Sequence, residues 1–236
     1  MAFSNNNFTG RSTTPVTTNL IIINALMCLA TWVLGPKGID LNGLLGLHYF
    51  DAPKYHIWQA ITYQFMHAGF EHLFFNMFSL YMFGRLLEMV WGPQRFLIYY
   101  LVCGVGAAIV QQLAWRYGLV ADWLQQIQLQ DPNFTYGQLL QEGGQYLNRL
   151  TTVGASGSVF GILLAFGMMF PNATLMLLIP PMPIKAKYLV IGYGVIELFC
   201  GVAGSGDGVA HFAHLGGMLF GFLFIMLWRH DRRHEF

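Results

Sequence analysis

Two short motifs in this chain hold residues that could do chemistry together. Gly154-Ala155-Ser156-Gly157 opens one strongly apolar stretch, and Ala213-His214-Leu215-Gly216-Gly217 opens another near the C-terminus. A serine hydroxyl is a poor nucleophile until a neighbouring base takes its proton, and imidazole suits that task near neutral pH. A serine and a histidine at the mouths of two membrane-type helices are the parts of a hydrolase that cuts peptide bonds at or within a bilayer. The two side chains must meet for this to hold, so the elements that carry them decide the matter.

Composition places those elements in a membrane. Of 236 residues, 55% are hydrophobic, 16% aromatic and only 10% charged, well below the charge of a soluble globular domain. The net charge of +1, with no dense basic block, gives no sign of a nucleic-acid partner. Cys28, Cys103 and Cys200 lie inside apolar runs and read as packing residues, not a disulfide frame or metal site. Residues 1–18 form a polar segment without the basic-then-apolar order of a cleaved signal peptide. Residues 229–236 form a basic tail.

Six apolar stretches, near 19–35, 69–90, 96–115, 155–171, 187–203 and 209–228, each approach the roughly 20 residues that a helix needs to cross hydrocarbon. The expected fold is an all-α membrane protein, a bundle of six transmembrane helices over 19–228. A polar insert at about 116–150 reads as short surface helices, and the segment 36–66, with Tyr55, Trp58 and Tyr63, suits the interface. Six spans put both termini on one side. That side holds Arg11, Arg85, Arg95, Lys185, Lys187, Arg229, Arg232 and Arg233, against Lys37, Lys54, Arg116 and Arg149 on the other. The excess of basic residues predicts cytoplasmic termini, with the insert facing outward; the expected location is a bacterial inner membrane.

With that orientation, spans two, four and six all enter from outside. Ser156, His214, His72 and Asn76 then share the outer third of the bilayer, at 1.5 Å of rise per residue. Gly157 and Gly161 on span four, and Gly217 and Gly221 on span six, are small-xxx-small patterns that admit close backbone approach. His214 shares the glycine face of its helix, whereas His211, a rival base, lies off it. Glu197 is an acid inside span five and reads as a gate residue near the interface or part of a proton path.

These residues resemble the rhomboid intramembrane serine proteases. The resemblance rests on the two motifs above with Gly161 and Gly221, on His72-Leu-Phe-Phe-Asn76, and on His67, Gly84-Arg85 and Glu88, in order from about 58 to 221. It implies Ser156 as nucleophile and His214 as general base, a dyad without a third carboxylate and without a cofactor. It also implies His72, Asn76 and the Ser156 N–H as the oxyanion hole, and Phe160 as the ring packed on the imidazole. The fifth helix and the loop from Ala203 to Val209 would act as a substrate gate, and the substrates would be transmembrane helices of other proteins. Family members often carry Trp-Arg in the first outer loop, where this chain has Trp58-Gln59, a departure that touches the loop's internal bonding and not the chemistry. Three other classes compete. A metal hydrolase could draw on His67, His72, His211 and His214, but no His-Glu-x-x-His signature is present. A non-catalytic rhomboid-like client binder would lack the serine or the histidine. A transporter would show paired charges at the midplane, where only Glu197 qualifies.

Overall fold

The computed structural model describes residues 13–177, 181–204 and 209–231, an all-α membrane bundle with two short β ladders. Most of the polar N-terminal segment, the end of the basic tail and the centre of the expected gate loop lie outside the described residues. The helices are α1 (Pro15–Leu34), α2 (Leu41–Leu45), α3 (Gln59–Thr62), α4 (Phe70–Ser79) and α5 (Arg85–Trp91). They continue as α6 (Pro93–Tyr117), α7 (Leu119–Gln128), α8 (Tyr136–Leu147), α9 (Ser156–Met169), α10 (Ala186–Ala203) and α11 (His211–Asp231). A π-helical turn, Leu80–Gly84, joins α4 to α5, making one span of Phe70–Trp91.

Among the described residues, five helical segments are long and apolar enough to cross a membrane, which makes the chain an integral membrane protein. The sixth apolar helix, α9, has 14 residues and reaches about 21 Å, short of the roughly 30 Å hydrocarbon layer. Nine of those residues are buried, so α9 is an inner helix surrounded by the others rather than a lipid-facing span.

The first helix begins four residues earlier than its hydropathy suggests. Pro15 occupies its first turn, and the N–H groups of Val16 and Thr17 donate to the Glu88 carboxylate at 2.9 and 2.8 Å. The Thr17 hydroxyl donates to the same group at 2.7 Å. Buried Glu88 therefore satisfies the unpaired donors of the α1 N-terminus and sets its negative charge against the positive end of the helix dipole. This gives the Gly84…Glu88 element a structural role.

The insert forms α7 and α8, the latter started by a Thr135–Gln138 capping box. Their apolar faces close a second core with the segment after α2: Tyr49, Tyr63, Trp115, Val120, Leu139 and Leu147 are buried together. Strand β1 (Leu47–His48) pairs antiparallel with β2 (Thr151–Thr152), which ties that segment to the chain just before Ser156. At the other end of α9, β3 (Thr174–Met176) and β4 (Pro183–Lys185) pair antiparallel in the Pro-rich stretch between the fourth and fifth apolar segments.

Gln59 is the fastener of the segment that joins α2 to α3. It is fully buried, its Oε1 accepts the N–H groups of His48 and His56, and its Nε2 donates to the carbonyls of Leu44 and Lys54, at 3.0–3.2 Å. Four backbone groups, one of them fully buried, depend on one neutral amide. Gln59→Leu, of similar size but without polar atoms, should lower stability by about 3 kcal/mol, because it strands those groups. Thermal unfolding in detergent measures this, and an unchanged midpoint would remove Gln59 from that role.

Candidate active site

The site begins with a backbone contact. A side-chain carbon at Gly217 would overlap the carbonyl of Gly157, so α9 and α11 touch main chain to main chain at that point. The other two glycines of the expected seams serve a third helix. Gly161 faces Cys103 of α6, and Gly221 faces Cys103 and the Tyr99 hydroxyl, which also donates to the Gly161 carbonyl at 2.7 Å. The seam is thus a three-helix junction of α6, α9 and α11. His214 lies one turn above Gly217, and Ser156 adjoins Gly157, so both side chains sit at the top of the contact.

There, Ser156 Oγ and His214 Nε2 are 2.8 Å apart. Ser156 is the first residue of α9, and Ala155, not Ser156, holds the cap position, so the hydroxyl is not spent on the helix end. Ser158, two residues on, is fully buried and bonded to Gln64 Oε1 and the Tyr100 carbonyl. The Phe160 ring stacks on the His214 imidazole at 4.2 Å and 6°, which fixes the plane of the ring. A hydroxyl so placed against an imidazole nitrogen can pass its proton as its oxygen attacks an electrophile.

His72 and Asn76 line the same cavity as Ser156 and His214, a space of about 980 Å³ also bounded by Phe160 and Tyr193. The Ala68 N–H points at His72 Nδ1 at 3.5 Å, a long bond that favours the proton on Nε2. Asn76 Nδ2 donates to the His72 carbonyl at 2.8 Å, which leaves its second amide hydrogen for a ligand. Gly154 has φ +134°, and a side-chain carbon there would stand 2.7 Å from His72 Cε1. Only glycine lets the chain turn into α9 under that imidazole. The Gly154 N–H donates to the Tyr63 carbonyl at 2.9 Å, anchoring the turn to the outer core.

His211 is not at the serine. Its Nδ1 meets Glu197 Oε2 of α10 at 2.6 Å, and it borders a second cavity of about 520 Å³ with Gln111, Trp115 and Cys200. The same Glu197 oxygen lies 2.9 Å from His214 Nδ1, off the line of the ring N–H. Glu197 is therefore a buried partner of two histidines, where sequence analysis read a gate or a path. A signal existed: Glu197 and His214 each lie within about two turns of the loop joining α10 to α11, which sets them at similar depth. The oxygen and nitrogens stand closer than the roughly 3.3 Å spacing of ligands around tetrahedral zinc, so the cluster has hydrogen-bond rather than metal-ligand geometry.

With this geometry in place, comparison with known proteins is informative. The rhomboid domain profile matches residues 54–230, and the chain belongs to the rhomboid family. It is 28% identical over 200 residues to RHOMBOID-like protein 1 of Arabidopsis thaliana, covering 84% of this chain and 42% of that protein. It is 28% identical over 181 residues to YdcA of Bacillus subtilis, which carries the provisional name of a rhomboid protease; 75% of this chain and 71% of that protein are covered. It is also 32% identical over 85 residues to Inactive RHOMBOID-like protein 8 of Arabidopsis thaliana, over 36% and 24% of the two chains. The chain spans about half the length of several curated relatives that it matches.

His67 is buried in the loop before α4, its ring edge-on to that of His72 at 5.1 Å. Burial, with the charge of His72 adding to it, pushes the His67 imidazole down to about 4. Its ordinary value is about 6.5, so between these two values the unfolded chain holds a proton that the folded one excludes. Stability from this source is complete above about 6.5 and is lost as pH falls toward 4. His67→Gln should flatten the dependence of the thermal midpoint on pH across that window. An identical slope in the variant would assign the acid sensitivity elsewhere.

Proposed function

We propose that this protein is an intramembrane serine endopeptidase that cleaves transmembrane segments near their outward end with Ser156 and His214 as its reactive pair. The observation that carries this reading is the 2.8 Å approach of Ser156 Oγ to His214 Nε2 inside a roomy cavity of a membrane bundle. His214 Nε2 takes the hydroxyl proton as Oγ attacks the scissile carbonyl. The oxyanion that forms is met by His72, Asn76 and the N–H of Ser156, which lies in the first turn of α9, where no intrahelical acceptor exists. The C–N bond then breaks, the leaving amine takes the proton from Nε2, and an acyl-serine remains. Water attacks that ester, again giving its proton to Nε2, and the serine is restored as the acid product departs.

The stacked Phe160 supports the same reading, since a fixed ring keeps Nε2 aimed at the serine. A client-binding role without catalysis, suggested by the inactive relative, is disfavoured because serine and histidine are both present and in contact. Ser156→Ala should abolish both cleavage and labelling by a serine-directed fluorophosphonate. His214→Ala should lower turnover by about 10⁴-fold or more, because members of such a pair act as a unit. His211→Ala should cost much less than His214→Ala. Cleavage retained by Ser156→Ala would overturn the serine-protease reading.

A peptide bond in a helix is shielded by its own hydrogen bonds, and lipid offers no replacement partners once those open. Cleavage therefore favours substrate segments that unwind easily inside the wet cavity. Gly and Pro disfavour helix by about 1 and 3 kcal/mol, so replacing them with leucine near the cut should slow hydrolysis. Mass spectrometry of products from a model membrane substrate locates the cut. Unchanged cleavage, confined to a soluble tail, would count against a transmembrane substrate.

A further inference from the structure

The carboxylate of Glu197 has no evident reason to be where it is unless it serves the histidines. It is 7% exposed, and only Ala186, Val190 and Glu197 are buried along the whole of α10. A helix whose other buried residues are both small apolar ones thus turns its one acid inward. Burying a carboxylate is costly unless it is paired, and here both partners are imidazoles of α11. His211 Nδ1 supplies the aligned bond at 2.6 Å, and His214 Nδ1 stands 2.9 Å from the same oxygen. The opposite nitrogen of His214 faces Ser156 Oγ at 2.8 Å.

We propose that Glu197 is the positioning residue for His214, so that Ser156, His214 and Glu197 form a triad assembled from α9, α11 and α10. This rests on the proteolytic reading given above. An ionised carboxylate only accepts hydrogen bonds, so beside Nδ1 it selects the tautomer with the proton on that nitrogen. Nε2 is then left with its lone pair toward the serine, the form that a base requires. When Nε2 takes the serine proton, the ring becomes a cation with Oε2 already beside it, and attraction between the two draws the off-axis contact into line. Bonds of this kind are commonly poorly aligned at rest and tighten as the reaction proceeds. The proton on Nδ1 stays there throughout; Glu197 orients and stabilises without taking it. His211 Nδ1 holds that same oxygen in place at 2.6 Å. Because Glu197 rides on the least buried span, any outward shift of α10 withdraws the carboxylate from the base, so the packing of α10 on α11 and the competence of the serine are linked.

The test compares the full chain in detergent with Glu197→Gln, measuring kcat and KM on a membrane substrate and the rate of fluorophosphonate labelling. Glutamine keeps the shape, loses the charge and offers an N–H toward Nδ1, which favours the wrong tautomer. Labelling rate and kcat should fall together, by about 10²- to 10⁴-fold, with KM and thermal midpoint little changed. A residue that only gated entry would alter cleavage of the bulky substrate and leave labelling by the small reagent untouched, and that result overturns the proposal. If Glu197→Gln does not fold, Glu197→Asp carries the test: withdrawing the oxygen by one methylene should slow labelling at constant KM, and unchanged labelling overturns the proposal. Activity abolished by a chelator and restored by zinc would also overturn it, by making the cluster a ligand set. Ser156→Ala separates the two levels. If it loses labelling while Glu197→Gln labels at the wild-type rate, only the triad fails; if it keeps cleaving, the serine reading itself fails.

Discussion

The contact between Gly157 of α9 and Gly217 of α11 leaves no room for a single side-chain atom, and most of the site inherits its geometry from that fact. Two helix backbones in touch fix the distance and rotation of everything one turn above them. Ser156 and His214 occupy those positions, so the 2.8 Å separation of hydroxyl and imidazole follows from main-chain packing rather than from flexible side chains. In a membrane, where lipid gives helices no hydrophobic reason to associate, such van der Waals contact is a principal adhesive. α6 completes the junction through Cys103 and the Tyr99 hydroxyl, so the pair is held from three sides.

Around this junction the chain solves a second problem, the satisfaction of polar groups where water is scarce. Glu88 caps the first helix, Gln59 binds four backbone groups around the α2–α3 connection, and Tyr63 donates to the Gly104 carbonyl at 2.7 Å. Each is a single side chain standing in for water, and each lies far along the sequence from at least one group it serves. The outer layer built by α7, α8 and the β1–β2 ladder extends this by holding the turn at Gly154 beneath His72. The insert is therefore scaffold for the entrance to α9 as well as surface.

The polar site and the exposed helix α10 meet at Glu197 and Tyr193. Along α10 large apolar side chains such as Ile191, Val195, Phe199 and Val202 are exposed, which suits contact with lipid. Glu197 breaks that pattern inward, and Tyr193 reaches the Phe160 ring at 5.9 Å. The helix least embedded in the bundle thus touches both His214 and the Phe160 ring stacked on it.

Much of this was readable from residue order. Low charge and long apolar runs define a membrane bundle by themselves, because only helices with internally satisfied backbones cross hydrocarbon in such numbers. The motifs around Ser156, His214 and His72-x-x-x-Asn76 identify the family because their spacing sets helix faces, a local property. Three things were decided only by the fold. The start of α1 at Pro15 depends on Glu88, more than 70 residues away. The buried character of α9 depends on neighbours that cover most of it. The partnership of Glu197 with His211 and His214 depends on how α10 rotates about its own axis, which hydropathy cannot reveal because nearly all of that helix is apolar. Sequence determines which groups can ionise, bond or pack closely; tertiary structure determines which of them share one small volume, since that volume is made by segments remote along the chain.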